Sequence, residues 1–207
     1  MHAARSWTVL LIGGASGSGK TTIAERLGLA LGIPWAQVDD FRLALQRATA
    51  PEQQPALHFF VDGAGAAREG IWELPPQTLC DGLIGVASVV SSALQDVVGH
   101  HVATRKPLII EGDGIHPSVV AQFVDTAPHD APVRAMFLAE DDEDALLLNT
   151  VARGRGNTGL STEQRTQARM NALYGKWLAG EARRHGLPIL LPRPYDTLLE
   201  RILATLA

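Results

Sequence analysis

Cysteine occurs once in 207 residues, at Cys80, and lysine only three times. One cysteine allows neither an internal disulfide nor a thiolate-bound metal cluster. Basic residues do not outnumber acidic ones: 18 Lys and Arg stand against 22 Asp and Glu, for a formal net charge of −4. That balance leaves no basic field to attract nucleic acid or a membrane surface. Aromatic residues make up 5% of the chain and the four tryptophans are scattered, so they form no stacking platform for bases. Long apolar runs are missing too. The most apolar long segment, residues 83–98, is interrupted by Ser88, Ser91, Ser92, Gln95 and Asp96, a pattern too polar for a bilayer span. The opening "MHAARSWTVLLIGG" carries one arginine, and its apolar run passes into glycine instead of a cleavage site, so no signal peptide is expected. These absences lead to the expectation of a soluble, cytoplasmic protein with neither nucleic-acid nor membrane partner; they leave oligomeric state open.

What is present is a regular alternation. With 46% hydrophobic and 19% charged residues, the chain is of ordinary globular composition and long enough for one buried core. Strand-length apolar runs are read at residues 7–12, 35–38, 107–110, 133–138 and 188–191, separated by helical patterns at 21–31, from Pro75-Pro76 through apolar positions 79 to 97, and at 117–124, 141–152, 161–185 and 195–206. Ser161 with Gln164 three places on has the spacing of a capping box. Five strands separated by helices predict an α/β fold: a five-stranded parallel sheet with helices on both faces. Residues 41–74 are turn-rich, with a helix expected only over 41–48, and are the one plausible insert in a single domain spanning 1–207.

The strongest motif follows the first strand. Gly14-Ala15-Ser16-Gly17-Ser18-Gly19-Lys20-Thr21 fits G-x-x-x-x-G-K-[ST] in full, and Thr22 continues it. Glycines let successive backbone N–H groups turn inward toward phosphate oxygens, and the following helix adds the positive end of its dipole. Lys20, expected in an exposed loop, reaches the outer phosphates as a point charge, and the Thr21 hydroxyl is placed to ligand magnesium.

The stretch "GGASGSGKTT" resembles the loop of the P-loop small-molecule kinases, a group that includes uridine kinases, phosphoribulokinases and 2-phosphoglycerate kinases. "VDDF", after the second strand, is similar to the acidic patch with which uridine-kinase-like enzymes hold and deprotonate an acceptor hydroxyl. "LIIEG" looks like the Glu-Gly step closing the corresponding strand, and "EGDGIHP" is close to phosphoribulokinase wording, with an added Asp113-Gly114. The resemblance implies a nucleoside- or nucleotide-kinase-like fold with a lid. It also implies ATP and Mg2+ as cofactors, and transfer of the γ-phosphoryl group to a hydroxyl of a small-molecule acceptor.

Phosphoryl transfer itself asks for charge neutralisation, a metal ion and an oriented acceptor. In an open parallel sheet the ligand lies beyond the carboxyl ends of the strands, where Asp39, Asp40, Glu111 and Asp113 should converge on Lys20. Asp39 is the first choice for base, with Asp40 as an acceptor contact or alternate base and Glu111 for the magnesium shell beside Thr21; which acid is the base stays open. The resemblance implies that residues 152–161 form the lid, with Arg153 and Arg155 closing on the phosphates; Arg165 and Arg169, on the following helix, are candidates to face the same site. It also implies that Arg193 and Pro194 lie against the adenine. Residues 41–104 would form the acceptor region, with Arg42, Arg47, Arg68, His58 and, nearer Glu111, His116 as candidates for an anionic acceptor. The run "EDDED" at 140–144 lacks calcium-loop spacing and is expected to open a helix. The rival reading is a regulatory ATPase without a small-molecule acceptor; a guanine-specific switch is disfavoured by the lack of N-K-x-D.

Overall fold

Val9–Gly14 is buried along its whole length, and that fixes the architecture: a strand apolar on both faces needs helices on both sides. The computed structural model describes residues 7–140, 142–152 and 161–206. Within them the chain runs β1 (Val9–Gly14), α1 (Lys20–Leu31), β2 (Trp35–Gln37), α2 (Val38–Ala48), α3 (Pro76–Thr104), β3 (Leu108–Gly112), α4 (Pro117–Thr126), β4 (Val133–Leu138), α5 (Glu143–Ala152), α6 (Thr162–Arg184), β5 (Ile189–Leu190) and α7 (Leu198–Leu206). The five strands pair in parallel in the order β2-β3-β1-β4-β5.

Period-two alternation divides the core. Val9 and Leu11 face a cluster that includes Leu79, Val90 and Leu94 of α3, Val120 of α4, and Tyr174 and Leu178 of α6. Leu10 and Ile12 face the other way, onto Ile23 and Leu27 of α1 and Leu198 and Ile202 of α7. Each fully buried aliphatic side chain of this kind contributes roughly 1.5–3 kcal/mol. Helix α3 is long and apolar enough, by length and composition, to cross a membrane, a point on which its serines and Asp96 had suggested otherwise. In the fold its apolar stripe is spent on the sheet and on α4 and α6.

Elements differ from the sequence pattern mainly at their ends. The second strand stops at Gln37, and Val38, Asp39 and Asp40 form the first turn of α2. Acidic residues there suit the positive end of a helix, which is why the helix starts earlier than its apolar pattern suggests. β3 runs on through Glu111 and Gly112, because both pair with β1. Helix α5 starts at Glu143, after Asp142, whose Oδ1 accepts from the backbone N of Asp144 and Ala145 at 3.0 and 3.2 Å. That is a cap, in keeping with the helical reading of the acidic run. Ser161 and Gln164 form the reciprocal capping box at the start of α6. Residues 49–75 are mostly turns, with a 3-10 turn at Ile71–Glu73 and a single antiparallel bridge between Val61 and Ala67.

One contact sets α2 against the sheet. A Cβ built on Gly112 would lie 2.5 Å from Val38 Cβ, and one on Gly114 would lie 2.7 Å from Val38 Cγ1. Val38 is 1% exposed, seated where two glycines leave it room.

Candidate active site

Parallel register brings the strand ends level. Gln37 pairs with Glu111, Glu111 with Ile12, and Ile12 with Met136, so everything that follows these residues emerges at one edge of the sheet. β1 lies between β3 and β4, and the chain leaves it toward β2 on one side while β4 lies on the other. The crevice at such a reversal of strand order is the general ligand site of open α/β sheets.

The loop after β1 is shaped for an anion. Gly17 and Gly19 have φ of 94° and 86°, a left-handed conformation that turns the backbone inward. Lys20 opens α1, and its Nζ donates to the Ala15 carbonyl at 2.9 Å, across the loop. Far from being exposed, Lys20 is 7% accessible, because the loop curls around its stem. The Ser18 hydroxyl is fully buried and has no hydrogen-bond partner. A buried orphan hydroxyl inside a ring of backbone donors fits a bound phosphate group.

Opposite the loop stand the acids. A cavity of about 430 Å³ is bordered by Ser16, Lys20, Thr21, Asp39, Glu111 and Asp113, with Thr22 and Gln37 at its margins. The Thr21 hydroxyl donates to Glu111 Oε1 at 2.9 Å. Burial raises the pKa of Glu111 above its ordinary 4.5, opposed by Lys20 and by the Thr21 hydrogen bond and reinforced by Asp113 and Asp39. Asp113 is raised as well, by burial first, with Lys20 and Arg42 opposing and Asp39 adding to the rise. Two carboxyls that resist ionisation beside a threonine hydroxyl fit a divalent cation, which would supply the missing positive charge. Among the described residues no cluster of three or more His, Cys, Asp or Glu could hold a metal alone.

Asp39 projects from the first turn of α2 to the same cavity, its Oδ1 bonded to Arg42 Nε and Nη2 at 3.3 and 3.1 Å. Asp39 and Asp113 also border a second cavity of about 400 Å³ that continues under α6 and reaches Trp72. Tyr174 Oη donates to the Asp113 carbonyl at 2.5 Å, holding the turn after β3 from the α6 side.

A third space, about 330 Å³, lies on the far side of the loop between Gly17, Gly19, Thr22, Arg26, Asn149 and Tyr195. Asn149 Nδ2 donates to the Gly17 carbonyl at 2.9 Å. Arg26, Asn149 and Tyr195 escaped the sequence reading. Arg26 carried a usable signal, since it follows Thr22 by four residues and so shares its helix face.

Other expected site residues lie elsewhere. Arg193 turns away from that groove: its Nε is 3.1 Å from Glu140 Oε2, and its Nη1 is 3.9 Å from Asp142. His116 packs edge-on against Trp177 at 5.0 Å, its Nδ1 2.9 Å from Ser118 Oγ, and burial lowers its pKa. Arg169 lies with Arg165 in a hollow between α5 and α6, beside Glu143 and Asp144, apart from the phosphate cavity. Asp40 is exposed on α2 and borders none of the three spaces. Arg153 and Arg155 fall outside the described residues.

No protein-family model matches the chain. It is 26% identical over 200 residues to a 2-phosphoglycerate kinase of Methanopyrus kandleri, a match that covers 95% of this chain and 59% of that protein, so the chain spans about three fifths of its relative's length. Among solved structures, a shikimate kinase from Acinetobacter baumannii in complex with shikimate superimposes with a TM-score of 0.54 at 16% identity, over 97% of this chain and 93% of that one. A shikimate kinase from Bacteroides thetaiotaomicron gives 0.52 at 13% identity, over 96% and 98%. The chain therefore shares the fold of these shikimate kinases, carries a complete G-x-x-x-x-G-K-[ST] loop, and is similar in sequence along most of its length to a 2-phosphoglycerate kinase.

Proposed function

We propose that the protein transfers the γ-phosphoryl group of ATP to a hydroxyl of a small metabolite, with magnesium. The observation that carries this reading is one cavity in which Ser16, Lys20 and Thr21 of the phosphate loop face Asp39, Glu111 and Asp113 of the strand ends. A nucleotide-binding module needs the loop; the acids on the far wall, continuous with a second cavity, are what an acceptor requires.

The loop amides and Lys20 hold the triphosphate, and Thr21, Glu111 and Asp113 are the residues that would hold magnesium. Bound there, the ion supplies charge neutralisation on the phosphate oxygens. Asp39 takes the proton from the acceptor hydroxyl as its oxygen bonds to the γ-phosphorus. The bond from that phosphorus to the bridging oxygen breaks, and ADP leaves with the electron pair. Arg42, bonded to the same carboxylate, orients Asp39 toward the acceptor. The space beside Arg26, Asn149 and Tyr195 is the place for the adenine.

Incubation with ATP, Mg2+ and a panel of metabolites tests the reading. ADP formed only in the presence of an acceptor, with a new phosphate ester in the phosphorus NMR spectrum, is the expected result. ADP released at the same rate with and without acceptors would replace the kinase by a regulatory ATPase.

A further inference from the structure

The cavity beneath α6 says what kind of acceptor the site takes; the inference rests on the kinase reading above. Its volume of about 400 Å³ lies within the roughly 300–1,000 Å³ usual for small-molecule sites. It joins the phosphate cavity through Ser16, Asp39 and Asp113, so a hydroxyl presented to Asp39 belongs to a molecule lying here.

Its charge is one-sided. Asp39, Asp113 and Glu163 border it, and Arg42 is the one cation among the described residues that do. Arg42 is already committed to Asp39 through two nitrogens. The other basic side chains of this region point elsewhere. Arg68 donates to the Phe59 carbonyl at 3.0 Å and lies over that ring, and His58 is buried against Thr49 at 3.1 Å. Arg47 is exposed in the last turn of α2. A phosphate or carboxylate entering the cavity would stand beside Asp113 and Glu163 with no uncommitted guanidinium among the described residues that border it, losing water for like-charge repulsion.

Two further features describe a molecule that does fit. Asn171 is 5% exposed, borders the cavity, and its Oδ1 has no partner. A carbonyl-type oxygen needs a donor, which a hydroxyl or ammonium group supplies and an ionised phosphate or carboxylate does not. Facing it, Phe60 and Trp72 lie 6.0 Å apart between centroids and tilted by 32°, an apolar wall suited to the C–H face of a ring.

We propose that the acceptor is a non-anionic polyol or amino alcohol, rich in hydrogen-bond donors, with one apolar face against Trp72 and Phe60 and its donors toward Asn171 and Glu163. The likeness to a 2-phosphoglycerate kinase would then reflect the shared fold and phosphate loop, not a shared acceptor.

The test is a plate of metabolite alcohols divided by charge, assayed with Mg-ATP for ADP and for phosphorus NMR product. One set holds sugars, amino sugars and nucleosides; the other holds sugar phosphates, sugar acids and 2-phosphoglycerate. Product from the first set only is expected. In Glu163→Arg, whose substitution is on an exposed first turn, kcat/KM for the anionic set relative to the other should rise about tenfold. An anionic compound turned over by the wild type as efficiently as the best non-anionic one overturns the inference and leaves the kinase standing. Inertness toward the whole non-anionic set also overturns it. ADP release indifferent to every compound overturns the kinase reading and the inference together.

Discussion

Lys20 and Asp39 face the same cavity from opposite walls, and the two roles separate in kinetics. Lys20→Met keeps the volume of a 7% exposed stem and removes the charge together with its hydrogen bond to the Ala15 carbonyl. Turnover should fall on the order of 10²–10³-fold, as for loss of one preorganised charge on a transition state; a circular dichroism spectrum like the wild type's would locate the loss in the site. Unchanged turnover would remove Lys20 from the mechanism. Asp39→Asn should lower kcat by roughly 10²–10⁴-fold, while ATP affinity by calorimetry changes little, because in the proposed role Asp39 would meet the acceptor and not the nucleotide. Equal losses in both would move Asp39 out of the base role. At this scale the sequence was informative where a residue belongs to a strand end or to the loop motif: Glu111 and Asp113, at the end of β3, share one cavity with Lys20 and Thr21 because parallel register makes strand ends level. It was uninformative for side chains whose direction depends on a tertiary partner. Arg193 turns to Glu140, and His116 turns to Trp177; neither partner is near in sequence.

Helix α6 contributes Glu163, Gln167, Met170 and Asn171 to the proposed acceptor cavity and Tyr174 to the Asp113 turn, so its first turn matters beyond its own stability. Ser161 Oγ accepts from Gln164 N at 3.1 Å, and Gln164 Oε1 accepts from Ser161 N at 2.9 Å. Ser161→Ala should cost about 1 kcal/mol, lowering the melting temperature by about 2–4 °C in a chain of this size. A melting curve superimposable on the wild type's would show the box to be dispensable. This helix start was readable in advance because capping is local chemistry. The start of α2 was not: Asp39 and Asp40 read as strand-end acids, and only the seat offered to Val38 by Gly112 and Gly114, more than 70 residues away, reveals them as a helical first turn. The cavity proposed for the acceptor was not legible in the sequence beyond the general stretch 41–104. Its wall combines turn residues near 60 and 72 with one face of α6, and no periodicity links them.

For the molecule as a whole, the acids at the sheet edge oppose folding in the unliganded state. Burial raises Glu111 and Asp113 above their ordinary 4.5 and 3.8. In the window between those values and the raised ones, the folded protein holds protons that the unfolded chain has lost. Their contribution to stability is therefore present below the ordinary values and is lost as pH rises through the raised ones. On the proposed function Mg-ATP would reverse the balance, since cations in the cavity favour the ionised acids. The gain in melting temperature on adding Mg-ATP should be larger near about pH 7 than near about pH 5. At a concentration of about 100 times its Kd, the ligand should add about 2.7 kcal/mol where binding is unimpaired. An equal gain at both pH values would show that the two acids do not meet the ligand.

The seat of Val38 has a practical meaning for anyone altering this protein. Gly112 and Gly114 bear no functional group, yet the room they leave for Val38 seats the first turn of α2, which also carries Asp39. A single methyl at Gly112 would act as a shim under α2. Gly112→Ala is expected to damage turnover with every ionisable group retained, and Val38→Ala in the same chain is expected to recover part of it. In a mutational scan, the least tolerant sites of this protein would then include two positions where no chemistry happens at all.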